Sequence, residues 1–175
     1  MRRHHPVLLL LPLLLAACQA QTSPAPAPAA AASAAGESTE QDRAEVLAAI
    51  QGFMDALRMG DTTAMNQHVD SLTRLTLIRP TREGGTRVVV MTSSDFNRAI
   101  TRQPGGVDEP IRNPVVHVSG DLASVWAEYQ VRRPDSTVSH CGFDAFHLAR
   151  RGGRWKFLNV SDTFQATGCG PAWPR

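Results

Sequence analysis

Residues 138–164 read VSHCGFDAFHLARRGGRWKFLNVSDTF. Two runs rich in aromatic and branched side chains flank Gly152-Gly153, the pattern of two antiparallel strands joined by a tight turn. Side chains alternate faces along a strand. His140, Gly142, Asp144, Phe146 and Leu148 therefore share one face, and Cys141, Phe143, Ala145 and His147 share the other. The segment HCGFDAFH holds four side chains able to ligate a metal (His140, Cys141, Asp144 and His147), but alternation splits them two and two, so no metal site is expected there. A two-residue turn would set Arg151 opposite Arg154. A three-residue loop would set Phe146 opposite Leu158, Asp144 opposite Val160, His140 opposite Phe164 and Asp162 opposite Gly142. The second register is expected, because it gathers the large apolar residues on one face. It places His140, Asp144 and Asp162 among Phe146, Leu158 and Val160. A two-residue turn at Asp135-Ser136 would bring Tyr129 opposite Gly142 and onto the same wall. Carboxyls set in an apolar wall have raised pKa values, suited to orienting a ligand or moving a proton.

Outward from this hairpin, IRNPVVHV, a Ser119-Gly120-Asp121 turn and LASVWAEYQV read as two further strands. Upstream, Val46, Leu47, Ile50, Phe53, Met54 and Leu57 recur at three- and four-residue spacing, giving a helix from Gln41 with one apolar stripe. Gly60 ends it, and Asp61 or Thr62 caps a shorter helix through Met65 and His68. SLTRLTLIRP, a Gly84-Gly85 turn and TRVVVMT form a hairpin. Ser93-Ser94-Asp95 then opens a third helix, with the two serines read as caps rather than nucleophiles. His117 reads as a surface residue. The order of elements predicts an α+β domain, with a strongly curved antiparallel sheet of about six strands wrapped around helices.

The chain begins MRRHHPVLLLLPLLLAACQA. A basic start, an apolar core too short to span a bilayer and small residues before Cys18 mark an export signal. Leu15-Ala16-Ala17-Cys18 resembles the lipobox of bacterial lipoproteins, which implies cleavage before Cys18 and acylation of that residue. The expected divisions are a signal peptide over 1–17, the lipidated cysteine with a Pro/Ala-rich tether over 18–40, the domain over 41–170 and a tail over 171–175. Gln19 stands where inner-membrane retention signals carry Asp, so the expected address is the cell envelope, on the periplasmic side of the outer membrane. With Cys18 acylated, Cys141 and Cys169 remain, an even pair in an oxidising compartment, and they are expected to form a disulfide. The formal charge of +2 falls to zero once Arg2 and Arg3 leave with the signal. Basic residues are interspersed with acids, and nucleic acid is not an expected partner.

The element order, with GDLASVWAEY, SHCGFDAFHLAR, a Gly-Gly turn, RWKFLNVSDT and a closing Gly-Cys, resembles the nuclear transport factor 2-like superfamily over residues 42–170. The resemblance implies a cone in which a curved sheet wraps a pocket closed by helices. It implies a homodimer through the outer sheet face, here assigned to Trp126, Phe143, Trp155 and Phe157. No cofactor is implied. Fold leaves chemistry open. The expected function is binding of a small ligand or an envelope protein by Tyr129, His140, Asp144 and Asp162 without catalysis. An acid–base enzyme (isomerase, dehydratase or hydrolase) using Tyr129, Asp144 and Asp162 is the alternative, and a dimeric scaffold is a third. Ketosteroid isomerase carries a proton-shuttling Asp near the first strand; His68 and Asp70 lie there without a matching motif.

Overall fold

The computed structural model describes residues 39–174. The expected signal peptide, Cys18 and the tether up to residue 38 lie outside the described residues. Helix α1 (Glu40–Met59) starts one residue earlier than its apolar stripe suggests. Thr39 caps it, accepting from the Asp42 amide while the Asp42 carboxylate accepts from the Thr39 amide. That reciprocal box satisfies two otherwise orphaned amides. Gly60 ends the helix in the left-handed region, at φ 67°. Helix α2 (Thr62–His68) is capped by Asp61. Strands β1 (Val69–Pro80) and β2 (Thr86–Thr92) lead into helix α3 (Ser93–Ile100). Thr92, not Ser93 or Ser94, caps α3, because only Thr92 stands three residues before Asp95 and can complete a capping box. Strands β3 (Ile111–Ser119), β4 (Leu122–Arg132), β5 (Val138–Arg151) and β6 (Arg154–Asp162) follow.

The six strands form one open, curved sheet in the order β2-β1-β6-β5-β4-β3. Neighbouring strands are antiparallel except that β1 runs parallel to β6. The long chain between these two strands permits that crossover, and a tight turn could not make it. Phe53 of α1, Phe146 of β5 and Phe157 of β6 meet at ring-centroid distances of 5.0 and 5.6 Å and centre the core on the inner face of the sheet. Burying each such ring contributes about 1.5–3 kcal/mol. Arg150 fastens the start of α1 to the sheet, pairing with Asp42 and with Glu45 at 3.3 Å while stacking over Trp155.

The expected register of the β5–β6 hairpin is corrected. Gly152 and Gly153 both take positive φ, 57° and 74°, and make a two-residue turn, so Arg151 faces Arg154 and Leu148 faces Phe157. Between His147 and Leu148 the register shifts, and Leu158 is the extra residue of a bulge. Beyond it Phe146 faces Val160 and Asp144 faces Asp162. A bulge exchanges the faces of all that follows. Phe157 and Val160 therefore both point inward, and Leu158 leaves the wall expected for it. The true pairing differs from the expected one by two residues over Asp144–Phe146, which keeps every side chain on the expected face. The β4–β5 pairing does place Tyr129 opposite Gly142. It arrives there through a longer loop, closed by Arg133 donating to Thr137, and an extra residue at Ser139.

Trp155 and Phe157 are core residues, 5% and 0% exposed, because the two-residue turn brings them opposite Arg150 and Leu148 on the inner face. Trp126 and Phe143 do lie outside, stacked at 5.3 Å and exposed. Strand registers align Val90, Thr76, Ser161, Ala145, Trp126 and Val115 in one uncharged row across the outer face. The end of the chain is no free tail. Gln130 donates to the carbonyls of Cys169 and Pro171 and accepts from the Trp173 amide, while Arg132 donates to the Trp173 carbonyl. A Cys141–Cys169 disulfide with a Cα separation of 5.6 Å closes this strap over the outward-facing side chains of β4 and β5. Gln130 is consequently fully buried on a face that would otherwise be solvated.

Candidate functional site

On the inner side, the sheet and the helices α1 and α3 border a cavity of about 440 Å³. That is the size of a small-molecule site. Its walls are largely apolar, with Phe53, Leu57, Leu75, Phe96 and Val160 among them, and its polar side chains are Arg79, Gln103, Glu109, Ser139, His140, Asp144 and Asp162. Asp144 sits mid-strand on β5, directly across from Asp162 on β6. Two carboxylates facing each other on neighbouring strands repel. The site resolves that conflict differently for each acid. Parallel β1 places Leu77 beside Asp162, so Arg79, two residues on and on the same face, forks onto its carboxylate at 2.5 and 2.6 Å. Asp144 receives no such partner: it is 1% exposed, and its Oδ2 is buried without a hydrogen bond. His140 packs between the rings of Phe164 at 4.6 Å and Tyr129 at 5.9 Å.

This architecture recurs in solved structures. A protein of unknown function with a cystatin-like fold from Nostoc punctiforme superposes with a TM-score of 0.61 at 13% identity, over 75% of this chain and 97% of its own. A nuclear transport factor 2-like protein of unknown function from Shewanella baltica gives 0.59 at 11% identity, over 75% and 100%. The fold is nuclear transport factor 2-like. The association domain of C. elegans CaMKII shares it too, with a TM-score of 0.53 at 19% identity over 70% and 95% of the two chains. No protein-family model matches the sequence, and no curated protein does.

Within this nuclear transport factor 2-like cone, burial pushes the Asp144 carboxyl well above the ordinary range, and the negative charges of Glu109 and Asp162 push it further, against the opposing pull of Arg79. Glu109 stands in the loop before β3. Burial of its carboxyl, then the charge of Asp162, raises it to about 8. The residue is half-buried and lines both this cavity and a neighbouring cleft. Burial likewise lowers His140, aided by Arg79. Near neutral pH the cavity thus presents two uncharged carboxylic acids, a neutral imidazole and one internally neutralised ion pair. A neutral acid donates a hydrogen bond where a carboxylate could only accept.

Of the residues expected from sequence, His140, Asp144 and Asp162 do border the cavity together. Tyr129 does not line it. Its ring lies behind the wall, 1% exposed, and its hydroxyl donates to the Thr163 carbonyl at 2.6 Å. Burial and then the charges of Asp162, Glu109 and Asp144 raise its pKa, so the phenol stays protonated. Gly142 makes room for that ring: a Cβ there would stand 2.8 Å from Tyr129 and 2.4 Å from the Thr163 carbonyl oxygen. Arg79 and Glu109 were not expected at the site. The one signal for Arg79 is a cation closing an otherwise apolar strand run, LTLIRP. Glu109 lies in an aperiodic Asp-Glu-Pro segment that carries none.

Proposed function

We propose that this chain is an envelope lipoprotein, anchored through Cys18 on the periplasmic side of the outer membrane, whose cone binds a small, largely apolar molecule without turning it over. The observation that carries the binding reading is Asp144, a buried acid with an unpartnered oxygen in the wall of an apolar cavity. An unmet hydrogen bond in a dry site costs about 1–3 kcal/mol, which a ligand that supplies the partner recovers. A protonated Asp144 calls for an acceptor, so the ligand carries a carbonyl, ether or hydroxyl oxygen at its inner end. The uncharged outer row around Trp126 suits self-association, and we assign the homodimer contact to it.

Native mass spectrometry of the purified full chain, searched for a co-purified small molecule, tests the binding reading. Asp144→Asn retains a donor and should retain the ligand, whereas Asp144→Val should lose it by tenfold or more. Equal affinity in wild type and Asp144→Val removes the role assigned to Asp144. Replacing Cys18 with Ser and fractionating the cells tests the anchor: a variant still membrane-bound at its mature mass contradicts it. Acid–base catalysis is the second reading, favoured by the Glu109 carboxyl near 8 beside Asp144. Asn cannot exchange a proton as a carboxyl does, so loss of turnover in Asp144→Asn with binding intact would establish the enzyme.

A further inference from the structure

At the end of the cone formed by the α3–β3 loop and the β4–β5 turn, a second cavity of about 590 Å³ adjoins the first. The two share four lining residues, Gln103, Val107, Val131 and Ser139. Their chemistry differs sharply. Arg58, Arg102 and Arg133 line the outer cavity. Its remaining charges, Arg132 and Asp108, neutralise each other through a fork at 2.9 and 3.1 Å. Among the described residues Arg58 pairs with Asp55 alone, at 3.5 Å, Arg102 and Arg133 form no salt bridge, and Arg133 donates to the Val138 carbonyl at 3.1 Å. Gly106 fixes the wall of this chamber: at φ 68° it packs so closely on the end of α1 that a Cβ would stand 2.4 Å from the Leu57 carbonyl oxygen. The arginines are therefore presented where α1, the α3–β3 loop and the β4–β5 turn meet.

An apolar chamber that opens beside three exposed guanidinium groups, only one of them in a salt bridge among the described residues, suits a molecule built the same way. We propose that the ligand is a single-chain amphipathic anion, its largely apolar body in the inner cavity with the acceptor oxygen for Asp144 at its far end, and its carboxylate or phosphate head among Arg58, Arg102 and Arg133. Guanidinium forks match the planar oxygens of either head group. The inner wall does not oppose this orientation, since Asp162 is neutralised by Arg79 and the acids flanking it are held uncharged. The assignment rests on the cone being a binding site, and it adds the charge and polarity of what binds.

The test titrates the full chain, carried in lipid nanodiscs, with decanoate, decyl phosphate, decanol and inorganic phosphate, probes of the head-group site that lack the inner oxygen, and counts bound species by native mass spectrometry. Decanoate or decyl phosphate should bind one per chain, at least tenfold tighter than decanol, and inorganic phosphate should not bind. Which anion binds tighter distinguishes a free fatty acid from a phosphorylated lipid as the source. The exposed pair Arg102→Gln and Arg133→Gln should erase the preference over decanol, and an unchanged urea unfolding midpoint reports that the variant is folded. Equal binding of decanol and the anions, or a preference that survives the double substitution, overturns the assignment and leaves the cone a binding site. Binding of inorganic phosphate as tight as decyl phosphate overturns it as well. If none of the three decyl compounds binds, the head-group assignment falls, and the co-purified ligand search decides the binding reading separately.

Discussion

Two carboxyls held neutral by burial make the stability of this protein fall as pH rises, an unusual direction below pH 8. Glu109 moves from an ordinary 4.5 in the unfolded chain to about 8 in the folded one. Between those values the native state holds a proton that the unfolded state has released, so each added pH unit costs about 1.4 kcal/mol of stability. Asp144 is raised too and acts with the same sign. Two other sets of groups work in different windows. His68 and His140 are lowered from 6.5, so they add stability as pH rises towards 6.5 and nothing beyond it. Asp42, Asp70, Asp95, Glu128 and Asp135 are lowered from 3.8 or 4.5, so their contribution is complete above those values and is lost only in stronger acid. From pH 6.5 to 8 the buried acids therefore act alone. Over that span Glu109 removes about 2 kcal/mol, and Asp144 acts in the same direction. The assay is urea unfolding of the full chain at half-unit pH steps, read by tryptophan fluorescence. The Glu109→Gln and Asp144→Asn double variant should be flat over this window, so its advantage over wild type should grow by about 2 kcal/mol or more between pH 6.5 and 8. A wild-type stability that is level or rising from 6.5 to 8 would show both carboxyls ionised, and the neutral-donor account of the cavity would be abandoned.

Three further outcomes are expected. Gly142→Ala should destabilise by about 1–3 kcal/mol in thermal or urea unfolding, because its Cβ overlaps the Thr163 backbone and the Tyr129 ring; a neutral substitution would mean that the strand yields there. Replacing both Cys141 and Cys169 with Ser should cost about 3–4 kcal/mol for a loop spanning a separation of 28 residues, and alkylation of the natively exported protein should find neither thiol free. Trp126→Glu should leave unfolding unchanged and shift sedimentation from dimer to monomer; an unshifted dimer would place the contact elsewhere.

The helices, the strands and the shared face of His140, Asp144 and Asp162 were legible because periodicity writes side-chain direction directly into sequence. Register was not. A bulge such as the one at Leu158 leaves no mark in a run like KFLNV, where every residue suits a strand, and only long-range packing of Phe157 and Val160 selects it. The face assignment of Asp144 survived because a two-residue error preserves alternation, whereas Trp155 and Phe157, on the other side of the bulge, were placed on the wrong face. Arg79 and Glu109 reach the cavity from β1 and from a loop, distant in sequence and brought in by the parallel β1–β6 pairing and the turn into β3. The docked end of the chain was equally hidden, since its partners Gln130 and Arg132 read as ordinary outward polar residues.

The bulge at Leu158 divides strand β6 into two mechanically separate halves. The half near the turn is keyed to α1 through Phe157, and the half beyond it carries Val160 and Asp162. A residue inserted at the exposed Gly152-Gly153 tip can be taken up within the loop, so the spacing between Asp144 and Asp162 is shielded from change at the hairpin end. Deleting Leu158 would remove the bulge alone: Val160 would still face Phe146 and Asp162 would still face Asp144, because Leu158 has no partner of its own across the pair. The extra residue thus lets Phe157 and Val160, three apart in sequence, both face the core.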